Sequence, residues 1–276
     1  MGQDVTGVLR SVFIGIDVAC GAGKRLPLCA AAAGPRLRPL ALPAAVAALI
    51  PVGLGNRAIA DPAPFEAPAR AIAQALAGAR EHGWSITRIA IDAPAIAPTT
   101  PGRISEEALQ AAGISCFRTP AAAAWPPIIA RCQAHLAQGG GPARLPFANM
   151  IWMLFGFALF RELRTALPGV EVIETYPQAI VRALLPEVAH KSSEDGYRAQ
   201  LVAVAAATGW EPDALEGALK ADVPGARHDR LDAFMAAWVA SLPRERRYAF
   251  GPPNDLDDAI WTPLAPWPEN ALNPCP

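Results

Sequence analysis

The chain has 276 residues, of which 52% are hydrophobic, and a formal net charge of −1 at pH 7. This length allows one large domain or two small ones with a substantial core, and the balanced charge gives no sign of the strongly basic surface of a tight nucleic-acid binder. The five cysteines form no Cys-x-x-Cys pair, which argues against a disulfide framework and a zinc knuckle and fits a reducing compartment.

The sequence shows no pattern of export or of membrane insertion. The first ten residues are mixed and polar rather than basic and then apolar. The most apolar stretch, Met150–Phe160, is about half as long as the ~20 residues that a membrane-spanning helix needs. We therefore expect a cytoplasmic protein that does not contact a membrane. The sequence leaves the oligomeric state open.

The first part of the chain has the pattern of an antiparallel β-meander. An apolar run at Val12–Ala19 is rich in β-branched residues and predicts a buried strand, with Asp17 near its C-terminal end. A Gly-rich turn leads to a second apolar run at Leu26–Ala33, and a third possible strand surrounds Leu37–Leu42. Because a charge in a buried strand is costly unless it is paired or binds a metal, Asp17 requires a partner.

Helices and strands alternate through the rest of the chain. A strand at Ile86–Ile91 is followed by Asp92, and a strand that starts at Val170 ends at Glu174. Residues 95–146, rich in Pro and Gly, are predicted to form a helical insertion. The predicted helices are Pro62–Ala79, Ser105–Ala112, Pro127–Gln138, Phe147–Leu167, Gln178–Leu185, Tyr197–Thr208 and Arg227–Leu242.

This order of elements indicates an α/β fold. Strands that first form a meander and then alternate with helices predict a mixed sheet flanked by helices. We expect this domain to cover residues 11–245. Residues 246–276 are predicted to form a Pro-rich, irregular tail, with one possible edge strand at Ala259–Thr262.

Acidic residues stand at the ends of three predicted strands, at Asp17, Asp92 and Glu174. The last helix adds Asp229 and Asp232, whose spacing of three places both on one face with Cβ atoms ~5–6 Å apart. Sites in open α/β sheets form beyond the carboxyl ends of the strands, so we expect these acids to meet. Clustered carboxylates repel one another unless cations or protons neutralise them. Their oxygen atoms suit Mg²⁺ or Mn²⁺, and two such ions ~3.5–4 Å apart can support phosphodiester hydrolysis.

Four short motifs occur in order along the chain: Gly-Ile-Asp-Val-Ala at 15–19, Ile-Asp-Ala-Pro at 91–94, Glu-Thr-Tyr-Pro at 174–177 and His-Asp-Arg-Leu-Asp-Ala at 228–233. The set resembles an uncharacterised bacterial and archaeal family, domain of unknown function 429, whose members are described as predicted nucleases with an RNase H-like fold. The last motif is also similar to the Asp-x-x-Asp-Ala motif of RuvC-type resolvases, in which a late helix supplies metal ligands.

The resemblance implies a nuclease that hydrolyses phosphodiester bonds, with Mg²⁺ or Mn²⁺ as cofactor and nucleic acid as partner. By this resemblance, Asp17 would be the ligand that bridges both ions, and Asp92 the ligand from the second strand. Asp229 and Asp232 would be the ligands from the final helix. Glu174 would act as a ligand or a base.

Each acid also has a structural interpretation. Asp17 and Asp92 suit turns at strand ends, and Glu174 suits a structural role. Asp229 suits the N-cap of the last helix, since aspartate is a favoured cap, whereas Asp232 lies a turn inside that helix.

Two other functions stay open at this point. An actin-like or sugar-kinase-like phosphotransferase also begins with a Gly-Ile-Asp strand, but it requires a second phosphate loop and a second half-domain that the sequence does not show. The loop Gly21-Ala-Gly-Lys24 fails the Walker pattern, because Val18 and Arg25 stand where Gly and Ser or Thr are required. The other alternative is a non-catalytic RNase H-like module that binds a partner protein or nucleic acid.

Overall fold

The computed structural model describes residues 9–18, 21–185, 187 and 191–265. The strands are β1 Arg10–Asp17, β2 Leu28–Ala32, β3 Arg38–Leu40, β4 Trp84–Asp92, β5 Glu171–Thr175, β6 Arg247–Phe250 and β7 Ile260–Pro263. The α-helices are α1 Ala44–Leu49, α2 Glu66–Gly78, α3 Ile104–Ala111, α4 Trp125–Ala137, α5 Trp152–Ala166, α6 Pro177–Leu184, α7 Glu194–Thr208, α8 Pro212–Asp222 and α9 Arg227–Ser241. Short 3₁₀ helices lie at Gly55–Ala60, Ala79–His82, Ala122–Ala124, Pro142–Arg144 and Arg244–Arg246.

The described strands form one seven-stranded sheet in the order β3-β2-β1-β4-β5-β7-β6. Strands β1, β4, β5 and β7 are parallel neighbours, while β2 is antiparallel to β1, β3 to β2, and β6 to β7. The sheet is therefore mixed, and helices flank it. This confirms the predicted α/β class and the opening meander.

Side chains of β1 alternate between two cores, one on each face of the sheet. Val12, Ile14 and Ile16 belong to a core that they share with residues of α2 and α5. Phe13 belongs to the core on the opposite face, which it shares with residues of α6, α7, α8 and α9. The strand is buried on both faces, which explains why it is apolar almost throughout.

Helix α9 packs against the backbone of β1 at Gly15. A Cβ atom at this position would lie 2.0 Å from the Ala233 carbonyl oxygen and 2.2 Å from the Ala237 backbone nitrogen. Since both are backbone atoms of α9, a side chain at position 15 would push the whole helix away from the strand. Glycine therefore allows the close approach. The contact brings Asp232, the neighbour of Ala233, to the end of β1 that carries Asp17.

Most predicted elements are present with ends shifted by a few residues, but α1 and α8 were not predicted. Helix α1 has six residues and buries one side chain, Val46. Helix α8 buries two, Leu215 and Leu219. A periodic pattern requires more apolar positions than these helices provide. The predicted insertion at residues 95–146 contains α3 and α4 between β4 and α5.

The structure differs from the prediction of an irregular tail after residue 245. Arg247–Phe250 and Ile260–Pro263 are strands of the sheet, and β7 is not an edge strand because it lies between β5 and β6. Its partners are distant in sequence: Thr175 pairs with Trp261, 86 residues later. Local patterns do not reveal such pairings. The predicted tail beyond residue 265 lies outside the described residues.

The predictions about membranes and disulfides concern α5 and the cysteines. Within the part of the chain that the structure describes, no helix is both long and apolar enough to cross a bilayer. The apolar stretch Met150–Phe160 lies mostly in α5, which has 15 residues. Cys29, Cys116 and Cys132 are free thiols. Cys20 and Cys275 lie outside the described residues, as does Ala19 at the end of the predicted first strand.

Replacing Gly15 with alanine should destabilise the fold, because the new Cβ atom would overlap the backbone of α9. Overpacking of a core costs about 1–3 kcal/mol, and here the clash is with backbone atoms, so we expect at least the upper end of that range. Urea denaturation followed by circular dichroism measures the loss.

Gly78→Ala is the matched control for this prediction. A Cβ atom on Gly78 would meet nothing within 4 Å, and Gly78 is the last residue of α2. Alanine there should be neutral or slightly stabilising, because it has the higher helix propensity. A Gly15→Ala variant as stable as Gly78→Ala would contradict the close approach of α9 to β1.

Candidate functional site

Asp17 and Asp92 end the two central parallel strands side by side. They are the last residues of β1 and β4 and are paired in register. In-register residues of neighbouring strands point to the same face, and the strands are ~4.8 Å apart. Asp17 is two residues from Gly15, so both carboxylates lie on the face that α9 covers. The prediction that these acids meet at the carboxyl edge agrees with this geometry.

Helix α9 brings Asp232 to the same place. Asp232 is 2% exposed and lies in the second turn of α9, and its charge raises the pKa of both Asp17 and Asp92. Such an effect requires proximity, because charge interactions weaken with distance. We call Asp17, Asp92 and Asp232 the acid cluster.

Asp229 lies one turn before Asp232 and has a partly structural role. The N-cap of α9 is Ala226, so Asp229 is not the cap. Its carboxylate accepts a hydrogen bond from the Ala226 backbone N–H at 3.4 Å, and His228 Nε2 lies 3.0 Å from Asp229 Oδ1. The charge of Asp229 nevertheless raises the pKa of Asp17 and Asp232, so it contributes to the potential of the cluster.

Burial raises the pKa of all three members of the acid cluster, and repulsion from neighbouring acids adds to the rise. For Asp17, burial is the largest cause, and the charges of Asp232, Asp92 and Asp229 follow. For Asp92, burial comes first and the charge of Asp232 second. Burial also raises the pKa of Asp232. The cluster therefore stabilises bound protons or cations, and its fully ionised form is unfavourable.

Asp17 is the member of the acid cluster on which most of the other acids act. It is 9% exposed, and after burial the charges of Asp232, Asp92 and Asp229 raise its pKa. Burial and like charges of this kind favour a proton or a cation at the carboxylate.

One ammonium group lies at the acid cluster. Lys191 forms an ion pair and a hydrogen bond with Asp232, which is 41 residues away in sequence. Its positive charge opposes the rise in the pKa of each member of the cluster. Sequence analysis missed this residue because it lies in a connection between two helices. The only feature of the sequence that could have singled out Lys191 is that lysine is rare in this chain. The sequence has three lysines, Lys24, Lys191 and Lys220.

Glu174 does not join the acid cluster. The register of β4 and β5 pairs it with Ile91, so it faces the core opposite to α9. Its charge still raises the pKa of Asp92. Its carboxylate accepts hydrogen bonds from Arg103 at 2.9 and 2.6 Å and from the Ala95 backbone N–H at 3.2 Å. Glu174 thus holds the loop that follows Asp92.

Arg103 is the buried cation of this second cluster. It is 3% exposed and lies 3.7 Å from Glu106 and 3.4 Å from Asp258, in addition to its bonds with Glu174. Burial raises the pKa of Glu174 to about 7 although Arg103 opposes the shift. Sequence analysis missed Arg103 because it lies in the Pro- and Gly-rich segment, where no periodic pattern is readable.

A cavity of about 350 Å³ opens beside the acid cluster. Asp92 and Asp232 lie in its wall with Arg182 and Lys191. Phe117 also lines it and is 56% exposed. The cavity therefore combines carboxylates, cations and an exposed aromatic ring. Such a wall can hold an anionic group and stack against a planar one.

The Gly-rich loop after β1 does not have the form of a phosphate cradle. The Gly23 backbone N–H donates to the Gly53 carbonyl at 2.8 Å, and that of Lys24 donates to the Gly21 carbonyl at 3.2 Å. The Gly53 N–H donates in turn to the Lys24 carbonyl at 2.8 Å. Two amides of the loop are therefore already used within the protein. This agrees with the failed Walker pattern.

The acid cluster fits a divalent cation in its chemistry but not in its arrangement. Its three carboxylates are hard oxygen donors of the kind that Mg²⁺ and Mn²⁺ prefer. However, within residues 9–18, 21–185, 187 and 191–265, no three His, Cys, Asp or Glu side chains are grouped as a metal site requires. Asp232 is bonded to Lys191 instead.

A family model described as Protein of unknown function (DUF429) matches residues 15–255. The chain belongs to the DUF429 family. No curated protein and no solved structure matches the chain. The family predicted from the four ordered motifs is thus confirmed. In this DUF429 chain, the match runs from Gly15, beneath α9, to a point beyond β6, and so includes every acid of the predicted site.

In the presence of EDTA, Asp17→Asn should be more stable than the wild type at pH 7. Because the pKa of Asp17 is raised in the folded state, its contribution to stability is fully present below its ordinary pKa of 3.8 and is lost as the pH rises through the folded value. Each unit of that rise costs about 1.4 kcal/mol once the group is ionised. The gain in Asp17→Asn should therefore shrink as the pH falls towards 4, as urea denaturation at several pH values would show.

Glu81→Gln is the control, because Glu81 is exposed in a 3₁₀ helix that precedes β4, whereas Asp92 is the last residue of that strand. It should leave the pH dependence of stability unchanged. If Asp17→Asn were less stable than the wild type at pH 7, Asp17 would be a satisfied structural residue instead.

Proposed function

We propose that this DUF429 chain is a divalent-metal-dependent hydrolase of phosphodiester bonds, acting on nucleic acid with Mg²⁺ or Mn²⁺. The observation that carries the proposal is the acid cluster, three carboxylates at the carboxyl edge of two parallel strands and under one helix. Asp17 is 9% exposed there, and burial and the charges of Asp232, Asp92 and Asp229 raise its pKa. A divalent ion held by these carboxylates would lower the pKa of bound water and neutralise charge on a phosphate.

Asp17, Asp92 and Asp232 are the residues that would hold the metal. Asp17 is central in the proposal, because the charges of Asp92, Asp232 and Asp229 all act on it. Asp229 would join from the same face of α9 if it releases its 3.4 Å hydrogen bond to Ala226. The metal-binding arrangement would require Lys191 to release Asp232.

Glu174 has a supporting role in this proposal rather than that of a ligand or base. Its carboxylate binds the Ala95 backbone N–H and Arg103. These contacts hold the loop after Asp92 from the opposite face of the sheet. Glu174 thus positions Asp92 without contacting the metal.

The sheet supports an RNase H-like class for the domain. An antiparallel meander of β1, β2 and β3 lies beside the parallel strands β4 and β5, and the acids sit on β1, β4 and the late helix α9. The resemblance to predicted nucleases implies the same distribution of acids. Strands β7 and β6 extend the sheet beyond β5.

The cavity beside the cluster supports a nucleic acid as substrate. Arg182 and Lys191 can contact phosphate oxygens, which supply much of the affinity in nucleic-acid complexes. Phe117 offers an exposed ring on which a base can stack. The near-neutral net charge means that binding depends on this local surface rather than on the field of the whole protein.

Hydrolysis assays with Mn²⁺ or Mg²⁺ test the proposal on single-stranded DNA, duplex DNA, RNA and branched junctions. Asp17→Asn and Asp232→Asn should each lower the rate at least ~100-fold, which corresponds to about 2.7 kcal/mol of transition-state stabilisation. EDTA should abolish the reaction in the wild type.

The control in these assays is Glu81→Gln, which should keep the wild-type rate. Hydrolysis that survives both aspartate substitutions would place the activity elsewhere or in a contaminant. Nucleic-acid binding without any cleavage, unaffected by either substitution, would favour a non-catalytic module.

A further inference from the structure

We propose that Lys191 sets the affinity of the acid cluster for divalent cations, because its ammonium group occupies Asp232 and must be displaced by the incoming ion. This inference rests on the proposed function, since it concerns the same cluster.

The contact between Lys191 and Asp232 is the first part of the argument. Lys191 Nζ donates to Asp232 Oδ2, and its charge also acts on Asp17 and Asp92. An ion that enters the cluster therefore meets a positive charge already in place. Binding becomes an exchange of one cation for another, and the cost of breaking the ion pair lowers the affinity for the metal.

The two partners of this ion pair differ in their freedom to move. The side chain of Asp232 is 2% exposed, whereas that of Lys191 is 37% exposed. Asp232 is fixed on α9, which the close approach at Gly15 holds over β1. A lysine has a long flexible stem and a strongly hydrated head. When the pair opens, the lysine is therefore the residue that moves.

The adjacent cavity can accommodate the ammonium group of Lys191 after it leaves Asp232. Lys191 and Asp232 lie together in the wall of the 350 Å³ space, along with Gln178 and Gln200. The amide oxygens of these two residues are acceptors that an ammonium group can use. Lys191 can thus leave Asp232 without being buried in an apolar environment.

Calorimetric titration with Mn²⁺ tests the exchange in four proteins: wild type, Lys191→Met, Lys191→Arg and Lys220→Met. Lys191→Met should bind Mn²⁺ at least 10-fold more tightly than the wild type, which corresponds to about 1.4 kcal/mol. Lys191→Arg should stay close to the wild type, because a guanidinium group can also pair with Asp232. Lys220→Met removes an exposed lysine of α8 and should have no effect.

A second measurement uses the wild type and needs no variant to fold. N-hydroxysuccinimide acetate modifies accessible lysines, and peptide mass spectrometry gives the rate at Lys191 relative to Lys220 in the same molecules. Saturating Mg²⁺ should increase this ratio several-fold, because Lys191 is released from Asp232.

The outcomes separate this inference from the proposed function. The wild type could bind Mn²⁺ while Lys191→Met binds it no more tightly. That result would contradict the proposed displacement of Lys191 but not the proposed metal site. An acetylation ratio that saturating Mg²⁺ leaves unchanged likewise contradicts displacement. If none of the four proteins binds Mn²⁺, both the exchange and the metal-dependent function are contradicted.

Discussion

The close packing of α9 on β1 at Gly15 is the constraint on which the site depends. Backbone atoms of Ala233 and Ala237 occupy the space that a side chain at position 15 would require. The helix is therefore near enough for the charge of Asp232 to raise the pKa of Asp17 and Asp92 further, in addition to the effect of burial. Residues more than two hundred positions apart in sequence meet because one strand position carries no side chain.

This arrangement costs stability and is typical of a functional site rather than of a structural one. The acid cluster buries three carboxylates that repel one another, and one lysine offsets only part of that charge. On the opposite face, Glu174 is also buried, but Arg103 binds it with two hydrogen bonds. Proteins commonly accept destabilising groups where activity needs them. The acid cluster is incompletely neutralised, whereas Glu174 is paired with Arg103. This difference separates the acids with a proposed chemical role from Glu174, which holds a loop.

Much of the fold could be predicted from the sequence because its signals are local. The apolar run of β1, the strand before Asp92 and the periodic helix after Asp229 each carry their own pattern. Those patterns also place Asp17 and Asp92 at one edge of the sheet, since parallel strands expose their carboxyl ends together. The family could be predicted from the order of the four motifs.

The rest depends on contacts that local patterns do not encode. Whether Glu174 faces the acid cluster depends on the register of β5, and a shift of one residue moves a side chain to the other face. Lys191 and Arg103 lie in segments without periodicity, and both find their partners through the folded structure. Strand β7 is short and joins the sheet through Thr175, far away in sequence.

Thermal unfolding in the presence of Mn²⁺ or Mg²⁺ tests the central claim that the acid cluster binds a divalent cation. At about 100 times its dissociation constant, an ion that binds only the folded state stabilises it by about 2.7 kcal/mol. We expect this stabilisation in the wild type and in Glu81→Gln, which changes an exposed acid of a 3₁₀ helix, and its loss in Asp17→Asn. No stabilisation of the wild type by either ion, or an equal stabilisation of Asp17→Asn, would contradict the account.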